Sequence, residues 1–202
     1  MRKVKVYVEG ATRGKGKNQS ANIALRRGFR QFADKLGIEQ SPAFVPCGGR
    51  TQTWDVAWNS FWSRQQDEFI LLLVDSEEPA GADPQLAWRH LKLREGWAEL
   101  EDQHGRYVFM MVTAMETWLV ADELALARKF GRAYRAGVVP KWQNLESVAK
   151  ADIYTALDQA TSGLYSKGER SFELVGEIDP NIVSARCPHA KHFCDSLKSL
   201  CL

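Results

Sequence analysis

Four short apolar runs stand out against a polar background, over residues 4–8, 43–47, 69–74 and 107–112. Each is too short for an ordinary helix, is rich in branched or aromatic residues, and is bounded by charged residues, Gly or Pro, so each reads as a strand. Between them the apolar period changes to three and four. Leu25, Phe29, Phe32 and Leu36 recur at that spacing, predicting a helix over 20–36 that Gly37 stops. After the Gly48-Gly49 turn a second helix runs to about Arg64 and carries Trp54, Trp58, Phe61 and Trp62. Asp83-Pro84 starts a shorter helical stretch through Trp88 and Leu91, and residues 94–106 read as loop. From Glu116 a helix continues through Leu119, Leu124 and Leu126 to Phe130, where Gly131 ends it.

Strands alternating with helices predict an α/β fold: a parallel four-stranded sheet flanked by helices and joined by right-handed crossovers. Residues 132–202 differ in kind. They read as loop to about Lys150 and then as helical pieces around 153–157, 172–178 and 189–200. The expected organisation is an α/β core over 1–131 with a helical C-terminal extension over 132–202 packed on it as one structural unit. Internal repeats and low-complexity segments are absent.

Composition sharpens this picture. A chain of 202 residues with 45% hydrophobic content and a mean hydropathy of −0.35 can bury one substantial core, which excludes a disordered protein. No apolar run approaches the roughly 18–20 residues of a membrane span. The start, Met1-Arg2-Lys3-Val4, lacks the apolar block of a signal peptide. A cytoplasmic location without membrane contact is therefore expected, with Cys47, Cys187, Cys194 and Cys201 as thiols. The net charge of +2 conceals an asymmetry, because residues 1–30 hold nine Lys or Arg and one acid, Glu9. Arg26, Arg27 and Arg30 lie off the apolar stripe of the first helix and extend the basic loop that precedes it. Such a face suits a polyanion, and it equally suits a solvated surface.

Two strands run straight into acid. The first ends in Glu9, and the third continues into Asp75-Ser76-Glu77-Glu78. In a parallel sheet ligands gather outside the carboxyl ends of the strands. An extended backbone would point Asp75 and Glu77 the same way, and Glu9 joins them if the strands are neighbours. Hard oxygen donors of this kind select Mg²⁺ or Mn²⁺, shared with a substrate phosphate. The bland alternative is that these acids cap helices or face solvent. Glu116, after the fourth strand, either completes a second metal position or favours a helix start. Lys167, before a helix start, is a candidate for neutralising charge on a pentavalent phosphorus, although a lysine in a turn is also ordinary.

Other patterns carry less. In Gly10-Ala-Thr-Arg-Gly14-Lys15-Gly16 the glycines stand too close for a P-loop, and Gly follows the lysine where Ser or Thr is needed. What survives is a basic lid touching phosphate through Arg13, Lys15 and Lys17. Cys187, His189, His192 and Cys194 are four metal-type ligands within eight residues, but one helix brings only some of them to one face. Trp54, Trp58 and Trp62, at steps of four, read as core rather than as a base-stacking platform. No nucleophile–His–acid context supports acyl transfer.

Taken in order, Val-Tyr-Val-Glu9-Gly10, Leu-Leu-Leu-Val-Asp75-Ser76-Glu77, Met115-Glu116-Thr117-Trp118 with Ala121-Asp122, Lys167-Gly168 with Ser171-Phe172-Glu173, and Pro188-His189-Ala190 resemble the bacterial family called domain of unknown function 4276, grouped with Toprim-like proteins. The likeness runs from Val4 to about Leu197. It implies a Glu after the first strand and an Asp-x-Asp after the third, binding Mg²⁺ as in topoisomerases, primases and overcoming-lysogenization-defect nucleases. Glu9 and Asp75 match, and Glu77 stands where the pattern has its second Asp. The resemblance further implies a DNA- or RNA-cleaving effector in a phage-defence setting, with an ABC-type ATPase as partner and self-association into a homo-oligomer compatible with it. Three readings follow. The first is a Mg²⁺-dependent nuclease with Glu9 as general base or metal ligand, Asp75 and Glu77 on the metal, Glu116 as auxiliary acid and Lys167 as charge stabiliser. The second is a catalytically silent nucleic-acid-binding or ATPase-partner module. The third, a receiver-like phosphoacceptor at Asp75, lacks the acidic pair such a fold needs after strand one.

Overall fold

The computed structural model describes residues 3–12 and 19–201. Strands β1 (Lys3–Val8), β2 (Ala43–Pro46), β3 (Glu68–Asp75) and β4 (Val108–Met111) form one parallel sheet in the order β2-β1-β3-β4. Val8 pairs with Pro46 on one side and Leu73 on the other, and Asp75 pairs with Met111, so the strands finish at a common edge. The α/β fold expected from the sequence is the fold observed, helical C-terminal part included.

The unbroken apolar character of the strands has a direct cause. Val4, Val6, Val8, Leu71, Leu73, Phe109 and Met111 enter one hydrophobic cluster, while Tyr7, Ile70, Leu72, Val74, Val108 and Met110 enter the other. A period of two with both faces covered leaves little room for polar positions, and Lys5 in β1 is an exception, pairing with Glu68 at 3.0 Å. Helices α2 (Arg50–Ser63) and α3 (Ala87–Glu95) cover the second face through Trp54, Ala57, Trp88 and Leu91. The first face is covered by α1 (Gln19–Asp34), α4 (Met115–Ala121) and α5 (Glu123–Phe130), joined by α6 (Lys150–Ala160), α7 (Glu169–Glu177), α8 (Pro180–Arg186) and α9 (Pro188–Leu200). Ile153, Leu157, Phe172, Val175, Phe193 and Leu197 of the later helices are buried in the same cluster as Phe29, Leu71 and Trp118. The closest approach is between α1 and α7. A Cβ placed on Gly28 would stand 1.9 Å from the Phe172 carbonyl oxygen.

Several expectations shift in detail. The helix predicted from Glu116 to Phe130 is two helices. Asp122 interrupts it, accepting the Ala125 N–H at 3.0 Å through Oδ1 and the Asp179 N–H at 2.9 Å through Oδ2. One carboxylate thus caps α5 and ties it to the start of α8. The predicted loop before β4 contains a 3₁₀ stretch over Asp102–Tyr107. The tryptophan stripe is core only at its start, since Trp54 is buried against Trp97 while Trp62 is 62% exposed. No helix among the described residues is long and apolar enough to cross a membrane.

Candidate functional site

At the carboxyl edge of the sheet, strand ends meet helix starts. The Glu9 amide donates to the Leu73 carbonyl at 3.0 Å, and its Oε2 accepts the Asp75 N–H at 3.1 Å. The pairing of β1 with β3 therefore fixes these two acids side by side. Asp75 Oδ1 accepts the N–H of Met115, the first residue of α4, at 2.9 Å. A carboxylate there meets the positive end of a helix.

Beyond Asp75 the chain leaves the strand geometry. The Ser76 and Glu77 amides donate to the carbonyls of Met111 and Thr113 at 3.1 and 2.8 Å, and Glu77 takes a left-handed backbone with φ 68°. The simple alternation expected for Asp75 and Glu77 does not hold, because that turn re-aims the second side chain. Both nevertheless reach one ammonium. Lys150, the first residue of α6, lies 3.5 Å from Asp75 Oδ2 and 2.6 Å from Glu77 Oε1. Arg50, the first residue of α2, contacts Glu9 at 3.2 Å, Glu77 at 2.9 Å and Glu95 at 2.8 Å. Glu116 is buried in the first turn of α4, where the Tyr154 and Tyr165 hydroxyls donate to its two oxygens at 2.8 and 2.6 Å. Lys167 Nζ rests 4.0 Å above the centre of the Tyr154 ring.

These groups enclose a cleft of about 270 Å³ whose walls include Glu9, Asp75, Glu77, Glu116, Lys150 and Lys167. Gly48, Met115, Lys150 and Gly168 also border it, so α2, α4, α6 and α7 all start there. Burial, and next to it the charges of Glu9 and Glu116, push the Asp75 carboxyl up to about 7 against the pull of Lys150. Burial likewise raises Glu9, with Arg50 opposing. At Glu77 burial acts in the same sense but loses to Lys150 and Arg50, which hold its carboxyl below the usual range. Burial and the Glu116 charge raise Tyr154 and Tyr165, so both phenols stay protonated donors.

The acids and the lysine singled out from sequence, Glu9, Asp75, Glu77, Glu116 and Lys167, thus border one cleft. Arg13, Lys15 and Lys17 lie outside the described residues. Glu78 is exposed and pairs with Arg94 at 3.5 Å instead. Sequence reasoning missed Arg50, Lys150, Tyr154 and Tyr165. Arg50 had a signal, because it follows the second strand as the acids follow theirs. The other three come from the C-terminal part and had none. Among the described residues no three or more His, Cys, Asp or Glu side chains stand at metal-holding distances. Here the acids are engaged by Arg50, Lys150 and the phenols. Cys187 and Cys194 are buried in the core, and His189 pairs through Nδ1 with Glu146 at 2.7 Å, which disperses the set considered for zinc.

The model of the family described as Domain of unknown function (DUF4276) matches residues 13–198. The chain belongs to that family. The DUF4276 match takes in Arg50, Asp75, Glu77, Glu116, Lys150 and Lys167 and begins just after Glu9. No curated protein and no solved structure matches the chain.

Proposed function

We propose that the cleft is a divalent-metal-dependent phosphodiesterase site of the Toprim-like kind, acting on DNA or RNA. The observation that carries this reading is the mixture of charge at one sheet edge. Glu9, Asp75 and Glu116 border one cleft, with Arg50, Lys150 and Lys167 around them. Acids alone would repel a phosphodiester, and cations alone would bind it without activating water. The donor chemistry fits Mg²⁺ or Mn²⁺, since all three acids offer hard oxygens and Asp75 is buried beside Glu9 and Glu116, whose charges Lys150 offsets only in part. Glu9, Asp75 and Glu116 would hold the ion. Such an ion lowers the pKa of bound water and neutralises phosphoryl charge. Lys150 and Lys167 would draw in and orient the phosphodiester, Glu9 would accept the proton of the attacking water, and the two tyrosines would keep Glu116 in place.

Asp75→Ala is expected to lower Mn²⁺-dependent cleavage of DNA and RNA oligonucleotides by roughly 100-fold or more, with an unchanged circular dichroism spectrum. Full cleavage by a folded Asp75→Ala protein would sink the proposal.

A second reading has its own support. Arg50 and Lys150 already neutralise Glu9 and Glu77 internally, as they would in a silent binding module that works with an ATPase partner. Calorimetry with Mn²⁺ separates the two. Heat of binding that vanishes in Asp75→Ala favours the enzyme, and nucleic-acid affinity without ion binding favours the module.

A further inference from the structure

Glu77 differs from the other acids of the cleft in how its charge is shared. A single oxygen, Oε1, lies 2.9 Å from Arg50 Nη2 and 2.6 Å from Lys150 Nζ. Both cations would keep a partner without it. Arg50 retains Glu9 at 3.2 Å and Glu95 at 2.8 Å, and Lys150 retains Asp75 at 3.5 Å. Removing the Glu77 carboxylate would therefore leave a guanidinium and an ammonium still held and still aimed at one point.

That point suits an anion. Arg50 opens a helix of 14 residues and Lys150 one of 11, so two helix positive ends reinforce the side-chain charges. The Arg50 and Lys150 side chains are only 11% and 21% exposed, which keeps water from screening them fully, whereas Glu77 is the most exposed of the three, at 31%. Glu77 also sits on the turn that follows the strand, where its amide is held by the Thr113 carbonyl at 2.8 Å and its side chain alone reaches the two cations. It is the component able to leave while its partners stay.

We infer that Arg50 and Lys150 form a binding site for a phosphoryl oxygen, and that Glu77 Oε1 is its internal occupant, displaced when a phosphate enters. The inference rests on reading the cleft as a phosphoester site and gives Glu77 a role distinct from that of a metal ligand. A terminal or free phosphate offers more charge and more acceptor oxygens than the carboxylate it replaces, so guanidinium and ammonium can each take an oxygen of their own, whereas an internal phosphodiester only matches the carboxylate in both. Glu77 would then yield most readily to a terminal phosphate, such as phosphodiester cleavage leaves, and compete evenly with an internal phosphodiester.

The test uses inorganic phosphate as probe, with the full chain, in metal-free buffer at low salt, followed by calorimetry. Glu77→Gln keeps size and hydrogen bonding while removing the charge, and should bind phosphate about tenfold more tightly than the wild type. Adding Lys150→Gln to that variant should abolish the gain, with circular dichroism confirming the fold. Unchanged or weaker binding by Glu77→Gln overturns the inference, and so does a gain indifferent to Lys150. Because no metal is present, the outcome is separate from the cleavage assay. Asp75-dependent cleavage without tighter phosphate binding in Glu77→Gln defeats this inference alone, and tighter binding without any cleavage defeats the catalytic reading alone.

Discussion

Asp75 shows how much one residue's surroundings decide. Its carboxyl stands near 7 because burial and the Glu9 and Glu116 charges outweigh Lys150. Between the ordinary aspartate range and about 7 the folded chain holds a proton that the unfolded chain has released, so stability falls as pH rises through that window. Asp75→Asn removes this liability and should gain on the wild type by about 1–2 kcal/mol more at pH 8 than at pH 5 in urea unfolding. An equal difference at both pH values would show that Asp75 is not the group concerned. The position of Asp75 was legible in the sequence, since two strands of one parallel sheet ending in acid point to a shared edge more strongly than either acid does alone. Its chemistry was not. That depends on burial beside Glu9 and Glu116, on Lys150, and on Tyr154 and Tyr165, which hold Glu116; the last three come from the C-terminal part and follow no spacing relative to the strands.

At the scale of elements, the strands were legible because both faces are buried, and α1 because its apolar stripe is regular. The break at Asp122 was hidden. Leu119, Leu124 and Leu126 keep a helical rhythm across it, and the cap that Asp122 places on the Ala125 amide is joined by a long-range contact with the Asp179 amide that no local pattern announces. Gly28 makes a similar point from the other side, because nothing near it in sequence announces the touch of α7. Gly28→Ala would normally favour a helix. Here the added methyl meets a backbone carbonyl that cannot turn aside, and the variant should lose about 1–3 kcal/mol, seen as a lower Tm. A neutral or raised Tm would mean that α1 and α7 can separate without penalty.

For the whole molecule, the boundary drawn near Gly131 marks a change of composition rather than a seam. Phe29, Leu71 and Trp118 share their cluster with Ile153, Phe172 and Phe193, so a chain ending at Gly131 would strip away part of the cover of that cluster. Residues 1–131 alone are expected to lose the near-ultraviolet signal of ordered aromatics while keeping some helix, and a native-like spectrum from that fragment would contradict it. The cleft is divided along the same line. Its sheet acids come early, and the lysine that joins Glu77 follows 73 residues later. A nascent chain therefore carries Glu9, Asp75 and Glu77 into solution well before Lys150, Tyr154, Tyr165 and Lys167 have been translated. On the ribosome the acids and Arg50 come first and the two lysines last, so whatever this site does, it begins only after the tail has been made and folded back.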